Sequence, residues 1–319
     1  MPTKPLESIL WREFSKKEMK EVISIASPLL IEVVNYGTNL LARCHDSSKA
    51  EPDVDIALIS LYHHMLEMTD GIQVLVSQGS WIAAIPALRS SFEAFISMGF
   101  ILEPSGDYVQ RGLCWCWGYL HNEIEKHSGY LPTTIQGQNF HDKLKGEFRV
   151  ELEPLADKEA QERIDLAQKI LAETKYHPIE AEYQRLKGGK TRKSIEWYSL
   201  FSGIQNLREL SIHLKLESLY ILLYKEWSEI SHAKNFHSMT KDSKGNLVFE
   251  RIRNPSQSNL AQLSLTAIRF MIDANSLLLS KFRPEENINE WYIKEIQQGF
   301  RQLKGLQYNG PVLAKKVSK

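Results

Sequence analysis

Between Trp81 and Leu102 the only charged residues are Arg89 and Glu93. Their four-residue spacing puts both on one face of a helix. Charges on an otherwise apolar helix need partners once buried, because an unpaired polar group out of water is costly. Later in the chain Tyr224, Ser228 and His232 repeat every fourth residue, lining a phenol, a hydroxyl and an imidazole along one stripe. Such side chains are the right kinds to partner Arg89 and Glu93. Together the five support acid/base chemistry with His232 moving the proton. The same five also suit a purely structural network, since buried polar groups must be hydrogen-bonded whatever their role. A second arrangement pairs Arg208 with His213, an arginine to steady anionic charge and a histidine to act as acid or base. Five residues along a helix separate those two side chains by about 140°.

Other familiar patterns fail. Gly189-Lys190-Thr191 resembles the end of a phosphate-binding loop, but Gln184 stands where the first glycine is needed. Cys114-Trp115-Cys116 with His121 lacks the spacer and second ligand pair of a structural zinc site. Glu229-Ile230-Ser231-His232 is a single Glu-x-x-His, whereas a di-iron bundle needs two such pairs and two more glutamates. No metal or cofactor is therefore expected. His63 and His64, ahead of Glu67, read as satisfied helix residues. Trp115, Trp117 and Tyr119 read as core or interface, and Lys187, Lys190, Arg192 and Lys193 as a solvated basic loop.

The elements that must position these residues are helices. Apolar residues recur at three and four positions and period-two runs are almost absent, so the fold is predicted to be all-α, an antiparallel multi-helix bundle. Long helices are predicted over Glu18 to Cys44, Asp53 to Val76, Trp81 to Leu102, Asp107 to His127, Ser256 to Phe282 and Glu285 to Leu306. Ile204 to His213 and Leu216 to Lys234 form a closely linked pair. Charged and apolar positions alternate from Asp157 to Lys187, which suits exposed helices interrupted at His177-Pro178. A turn at Asp242-Ser243-Lys244-Gly245-Asn246 can support one small β-hairpin ending in Leu247-Val248-Phe249. The organisation expected is a single domain over 1–319. Its core spans about 18–127 and 195–306, with a middle insertion over about 128–194 and a basic tail at 309–319.

Composition narrows the class without naming a reaction. The 319 residues carry 39 Lys plus Arg against 39 Asp plus Glu, so no bulk charge draws the chain to nucleic acid or an anionic membrane. Hydrophobic residues make up 43% and charged ones 24%, the balance of an ordinary globular protein. The three cysteines cannot all pair, which suits a reducing compartment. Met1 to Trp11 is broken by Pro2 and Pro5 and has no apolar core of signal-peptide length, so a cytoplasmic location is expected. Ile82 to Leu102 is the one stretch that could pass for a membrane span, and its two central charges favour a buried helix of a soluble protein.

Leu88-Arg89-Ser90-Ser91-Phe92-Glu93, Trp197-Tyr198 and the run Tyr224 to Ala233 resemble, in order and separation, the bacterial helical family named domain of unknown function five-six-seven-seven. The match covers roughly Ile56 to His237. The resemblance implies an all-α protein without established activity. Helical relatives of this general kind occur in phage-defence and toxin-like loci, so a defence or stress-response module is the expected setting. Separately, Arg208-Glu209-Leu210-Ser211-Ile212-His213 resembles the Arg-x-x-x-x-His pattern of HEPN ribonucleases, which cleave RNA without metal. Glu209 departs from that pattern, which has Asn, Asp or His after the arginine. Three readings stay open: an uncharacterised helical protein with a polar site, a metal-independent ribonuclease acting on RNA, and a helical module binding a protein, a second copy of itself or a small ligand.

Overall fold

Val22, Ala26, Leu29, Val33, Gly37, Leu40 and Cys44 recur every three or four residues and are all buried along one stripe of a helix, Lys20–Ser47. A computed structural model of the chain describes residues 4, 6, 9–48, 52–104, 106–151, 154–188, 195–221, 239–241, 245–249 and 252–307. Within them the principal helices are α1 (Arg12–Glu18), α2 (Lys20–Ser47), α3 (Pro52–Ser77), α4 (Trp81–Ile101), α5 (Tyr108–Ser128), α6 (Ile135–Lys143), α7 (Pro154–Leu171), α8 (His177–Gly188), α9 (Leu207–His213), α10 (Gln257–Phe282) and α11 (Gln297–Gln307). The fold is all-α apart from one antiparallel ribbon, β1 (Met239–Lys241) with β2 (Leu247–Phe249), in the register Thr240 to Val248. That ribbon is the small hairpin the turn residues predict.

The chain forms two compact units. One comprises Met1–Ala50, Leu58–Leu102 and Ser211–Lys319, the other Glu51–Ala57 and Glu103–Leu210. The sequence reading sets the middle segment at 128–194, whereas this division falls at 103 and 210 and assigns α5 to the second unit.

In the first unit α10 packs against α2, α4 and α11. Its buried residues run almost all round, from Leu260 through Ser264, Ile268, Met271 and Asn275 to Leu279, as expected of a helix at the centre of a bundle. This is the one helix among the described residues long and apolar enough to cross a membrane, and 61% of its most apolar window is buried by protein. That corrects the expectation for Ile82 to Leu102, where Arg89 and Glu93 interrupt the apolar run. A side chain at Gly37 would lie 2.5 Å from Leu66 Cδ2 and 2.7 Å from Tyr62 Oη, so glycine allows this close approach.

In the second unit α5 packs against α7, with Leu131, Ala160 and Ile164 forming a small core capped by Ile124. The charged Asp157 to Lys187 stretch thus buries an apolar stripe, including Ala167, Tyr176 and Ile179. His177-Pro178 opens α8 rather than interrupting a helix. Proline is favoured there because the first helical N–H groups have no intrahelical partner. Asp107 caps α5, its Oδ1 accepting the Gln110 N–H at 3.0 Å, and Thr134 caps α6 by accepting the Gly137 N–H at 2.9 Å.

Candidate functional site

The α4 stripe is formed as its spacing predicts, but it is more open than expected. Arg89 Nε donates to Glu93 Oε1 at 3.2 Å, with 20% of the arginine side chain and 44% of the glutamate side chain exposed. An open i,i+4 pair contributes about 0.3–0.5 kcal/mol, far below the several kcal/mol that hang on a buried one. The helix adds a contact the sequence reading did not pair: Ser90 Oγ lies 2.7 Å from His64 Nε2 on α3. His63 lies 3.9 Å from Glu67 one turn along its own helix. Tyr224, Ser228 and His232, which the reading sets against Arg89 and Glu93, lie outside the described residues. Trp197 and Tyr198 form a short 3-10 turn with Ser199 in the second unit, and Gly118 leaves room for Trp197, whose Cβ would stand 2.9 Å from an added methyl.

Arg208 and His213 are both exposed on the seven-residue α9. Glu209, the departure from the ribonuclease pattern, has a structural task there. Its Oε2 accepts the Gln205 N–H at 2.8 Å and its Oε1 the Asn206 side-chain amide at 3.0 Å, while its own N–H donates to Asn206 Oδ1 at 3.0 Å. Asn206 and Glu209 thus make a reciprocal cap at the start of the helix. His213 lies edge-on to Phe100, ring centroids 5.7 Å apart.

A cavity of about 550 Å³ in the first unit has room for a ligand. Phe95 of α4 and Phe270 of α10 form part of its wall, their rings stacked at 5.2 Å and 17°. Phe300 of α11 supplies a third aromatic surface. The charged lining residues are Lys215, just past α9, Arg269 and Asp273 of α10, and Lys304 of α11. Arg269 Nε donates to Asp273 Oδ2 at 2.8 Å, one helical turn away. A second cavity of about 350 Å³ shares Phe95, Leu216 and Asp273 with the first and is lined further by Ile96 and Gly99. Ile96 is two turns beyond Arg89 on the same face of α4, so the ion-pair stripe leads along the helix toward this second cavity.

Lys215 sits where glycine is usual. The Lys215 N–H donates to the Ile212 carbonyl at 2.9 Å and the Leu216 N–H to the Ser211 carbonyl at 2.7 Å, which closes α9 in a Schellman turn. That turn needs a left-handed residue, and Lys215 has φ 60°. For a residue bearing a Cβ this conformation costs about 1 kcal/mol relative to glycine.

None of Lys215, Arg269, Phe300 or Lys304 was singled out by the sequence reading. The available signal was Arg269 with Asp273, an Arg-x-x-x-acid pair on an apolar helix like Arg89 with Glu93. Lys215 and Lys304 reach the same cavity only through the fold.

The second unit holds a different polar cluster. Glu180 Oε2 accepts from Trp117 Nε1 at 3.0 Å and lies 3.2 Å from His121 Nε2, while Glu180 Oε1 accepts from Gln184 at 2.7 Å. Burial alone would raise the Glu180 pKa; the hydrogen bonds from Gln184, Trp117 and His121 outweigh it and hold the carboxyl below its ordinary value. Burial pushes the Cys114 and Cys116 thiols up to about 12, which makes them poor nucleophiles at neutral pH.

A family model described as "Family of unknown function (DUF5677)" matches residues 55–246. No curated protein matches. No solved structure matches either.

Proposed function

The chain belongs to the DUF5677 family of unknown function, and on that premise we propose that it is a helical binding module whose site is the cavity walled by α4, α10 and α11. The observation that carries this reading is the joining of about 550 Å³ of space with stacked Phe95 and Phe270 and a cationic rim. Small-molecule sites have this character: hundreds of cubic ångströms, mostly apolar walls, and a few placed polar groups. The same proposal sets the protein in the cytoplasm, with Cys44, Cys114 and Cys116 unpaired and buried, and in a defence or stress-response module through a protein partner or second copy. That setting rests on the family resemblance, and gene neighbourhood tests it.

Binding of the neutral dye N-phenyl-1-naphthylamine to the purified chain tests the site. One saturable dye per chain, lost in Thr266→Trp, which sets an indole in the cavity, is the expected result; unchanged binding in the variant removes the proposal. Incubation with RNA in parallel addresses ribonuclease action. Cleavage that disappears in His213→Ala or His232→Ala would replace binding with catalysis as the reading.

A further inference from the structure

Resting on the reading of this cavity as the binding site, we infer that its ligand is a phosphate monoester on a flat heteroaromatic body, the chemistry of a nucleoside monophosphate. Charge is the first argument. The whole chain is neutral, with 39 basic and 39 acidic residues, yet the cavity gathers Lys215, Arg269 and Lys304 against Asp273 alone. Two positive charges in excess match a phosphate monoester, which carries about −1.5 to −2 near neutral pH. Lysine and arginine donors are the side chains that bind such groups most strongly.

Shape is the second argument. Phe95 stacks on Phe270 at 5.2 Å, and Phe270 also lies 5.7 Å from Phe92, so its ring is held in place. Phe270, 1% exposed, is the backing, and the part-exposed Phe95 that it steadies, with part-exposed Phe300, is the aromatic surface on which a flat ring stacks whatever the base. Gln262 adds an amide on the same lining, and Thr266 adds a hydroxyl oxygen that is left to accept, because its hydrogen goes to the Gln262 carbonyl at 2.8 Å. The amide both donates and accepts, as the edge of a heterocycle requires and an acyl chain does not.

The third argument is Lys215 itself. At φ 60° it occupies a helix-closing position that glycine fills at lower cost. A strained residue whose side chain lines a cavity points from the strain to a task at that cavity. Holding the anion is the task that a lysine performs and a glycine cannot.

The test uses the purified full chain at low salt. Adenosine, guanosine, cytidine and uridine 5′-monophosphates are titrated beside adenosine, inorganic phosphate and hexyl phosphate, read by calorimetry and by displacement of N-phenyl-1-naphthylamine. At least one monophosphate is expected to bind tenfold or more tightly than its nucleoside and than hexyl phosphate. Lys215→Gly and Lys304→Gln, both at exposed positions, should each weaken it about tenfold, the loss that accompanies one charged hydrogen bond, while the dye still binds. Equal affinity for nucleoside and monophosphate, or tighter binding of hexyl phosphate, overturns the inference. Dye that binds in the cavity but yields to no monophosphate also overturns it and leaves the binding module standing; dye that fails to bind, or ignores Thr266→Trp, removes both.

Discussion

Tyr62 Oη donates to Asn275 Oδ1 at 2.5 Å at the centre of the first unit, where both residues are 0% exposed. Asn275 Nδ2 is buried there with no hydrogen-bond partner. The pair ties α3 to α10 by a polar contact between buried side chains, and α2 clears space for it at Gly37, where a Cβ would stand 2.7 Å from Tyr62 Oη.

Tyr62→Phe should therefore destabilise the fold by about 1–3 kcal/mol, because it leaves Asn275 with neither of its amide groups satisfied by this partner. The double variant Tyr62→Phe with Asn275→Leu should recover much of that loss, since removing both polar groups also removes the desolvation cost. Urea unfolding of the two variants checks this. A double variant no more stable than the single one would show that packing, not the hydrogen bond, sets the value of the site.

Glu93→Ala should cost only about 0.5 kcal/mol, the value of an open intrahelical pair. The glutamate side chain is 44% exposed, so water replaces much of what its carboxylate gives Arg89. A measured loss above about 3 kcal/mol would return the pair to the buried class.

All three cysteines should resist a thiol reagent such as Ellman's in the folded protein and react once it is unfolded. Cys44 is 0%, Cys114 2% and Cys116 8% exposed, and burial raises the Cys44 thiol to about 11. Thiolate is the reactive form, and little of it exists at about pH 8 under such shifts. Rapid labelling of any of them in the native state would contradict the packing of α2 or α5.

Glu180 should give the second unit an acid-side dependence. Its pKa in the folded chain lies below the ordinary 4.5, so its hydrogen bonds stabilise the fold at pH above that value and are lost as pH falls through the lower folded one. The melting-temperature gap between the wild type and Glu180→Gln should then narrow between about pH 6 and about pH 3. A constant gap would mean that Trp117, His121 and Gln184 do not favour the ionised form.

How much of this was legible depended on whether the signal was local. Val22, Leu29, Val33 and Leu40 follow from helical periodicity alone, as does the four-residue meeting of Arg89 with Glu93. Asn206-x-x-Glu209 also carried a capping pattern, but the Arg-x-x-x-x-His reading drew attention to phosphate rather than to the helix start. Charge alternation in Asp157 to Lys187 hid the buried positions Ala160, Ile164 and Tyr176, because a one-sided stripe needs few apolar residues. The cavity was least legible. Its wall comes from α4, α10 and α11, more than 200 residues apart along the chain from Phe95 to Phe300, and no local spacing marks residues that meet only after packing.

Lys215→Gly separates stability from binding with opposite signs. Glycine occupies the left-handed region without a Cβ penalty, so the variant should be more stable by about 1 kcal/mol. Part of that gain is offset because glycine also frees the unfolded chain. Lys215→Ala keeps the penalty and loses the charge, so it should match the wild type in stability and the glycine variant in binding. Urea midpoints for the three proteins, set beside their nucleoside monophosphate affinities, check the ordering. If Lys215→Gly were less stable than the wild type, the lysine would be holding the end of α9 through contacts of its own side chain, and its left-handed backbone would no longer point to the cavity.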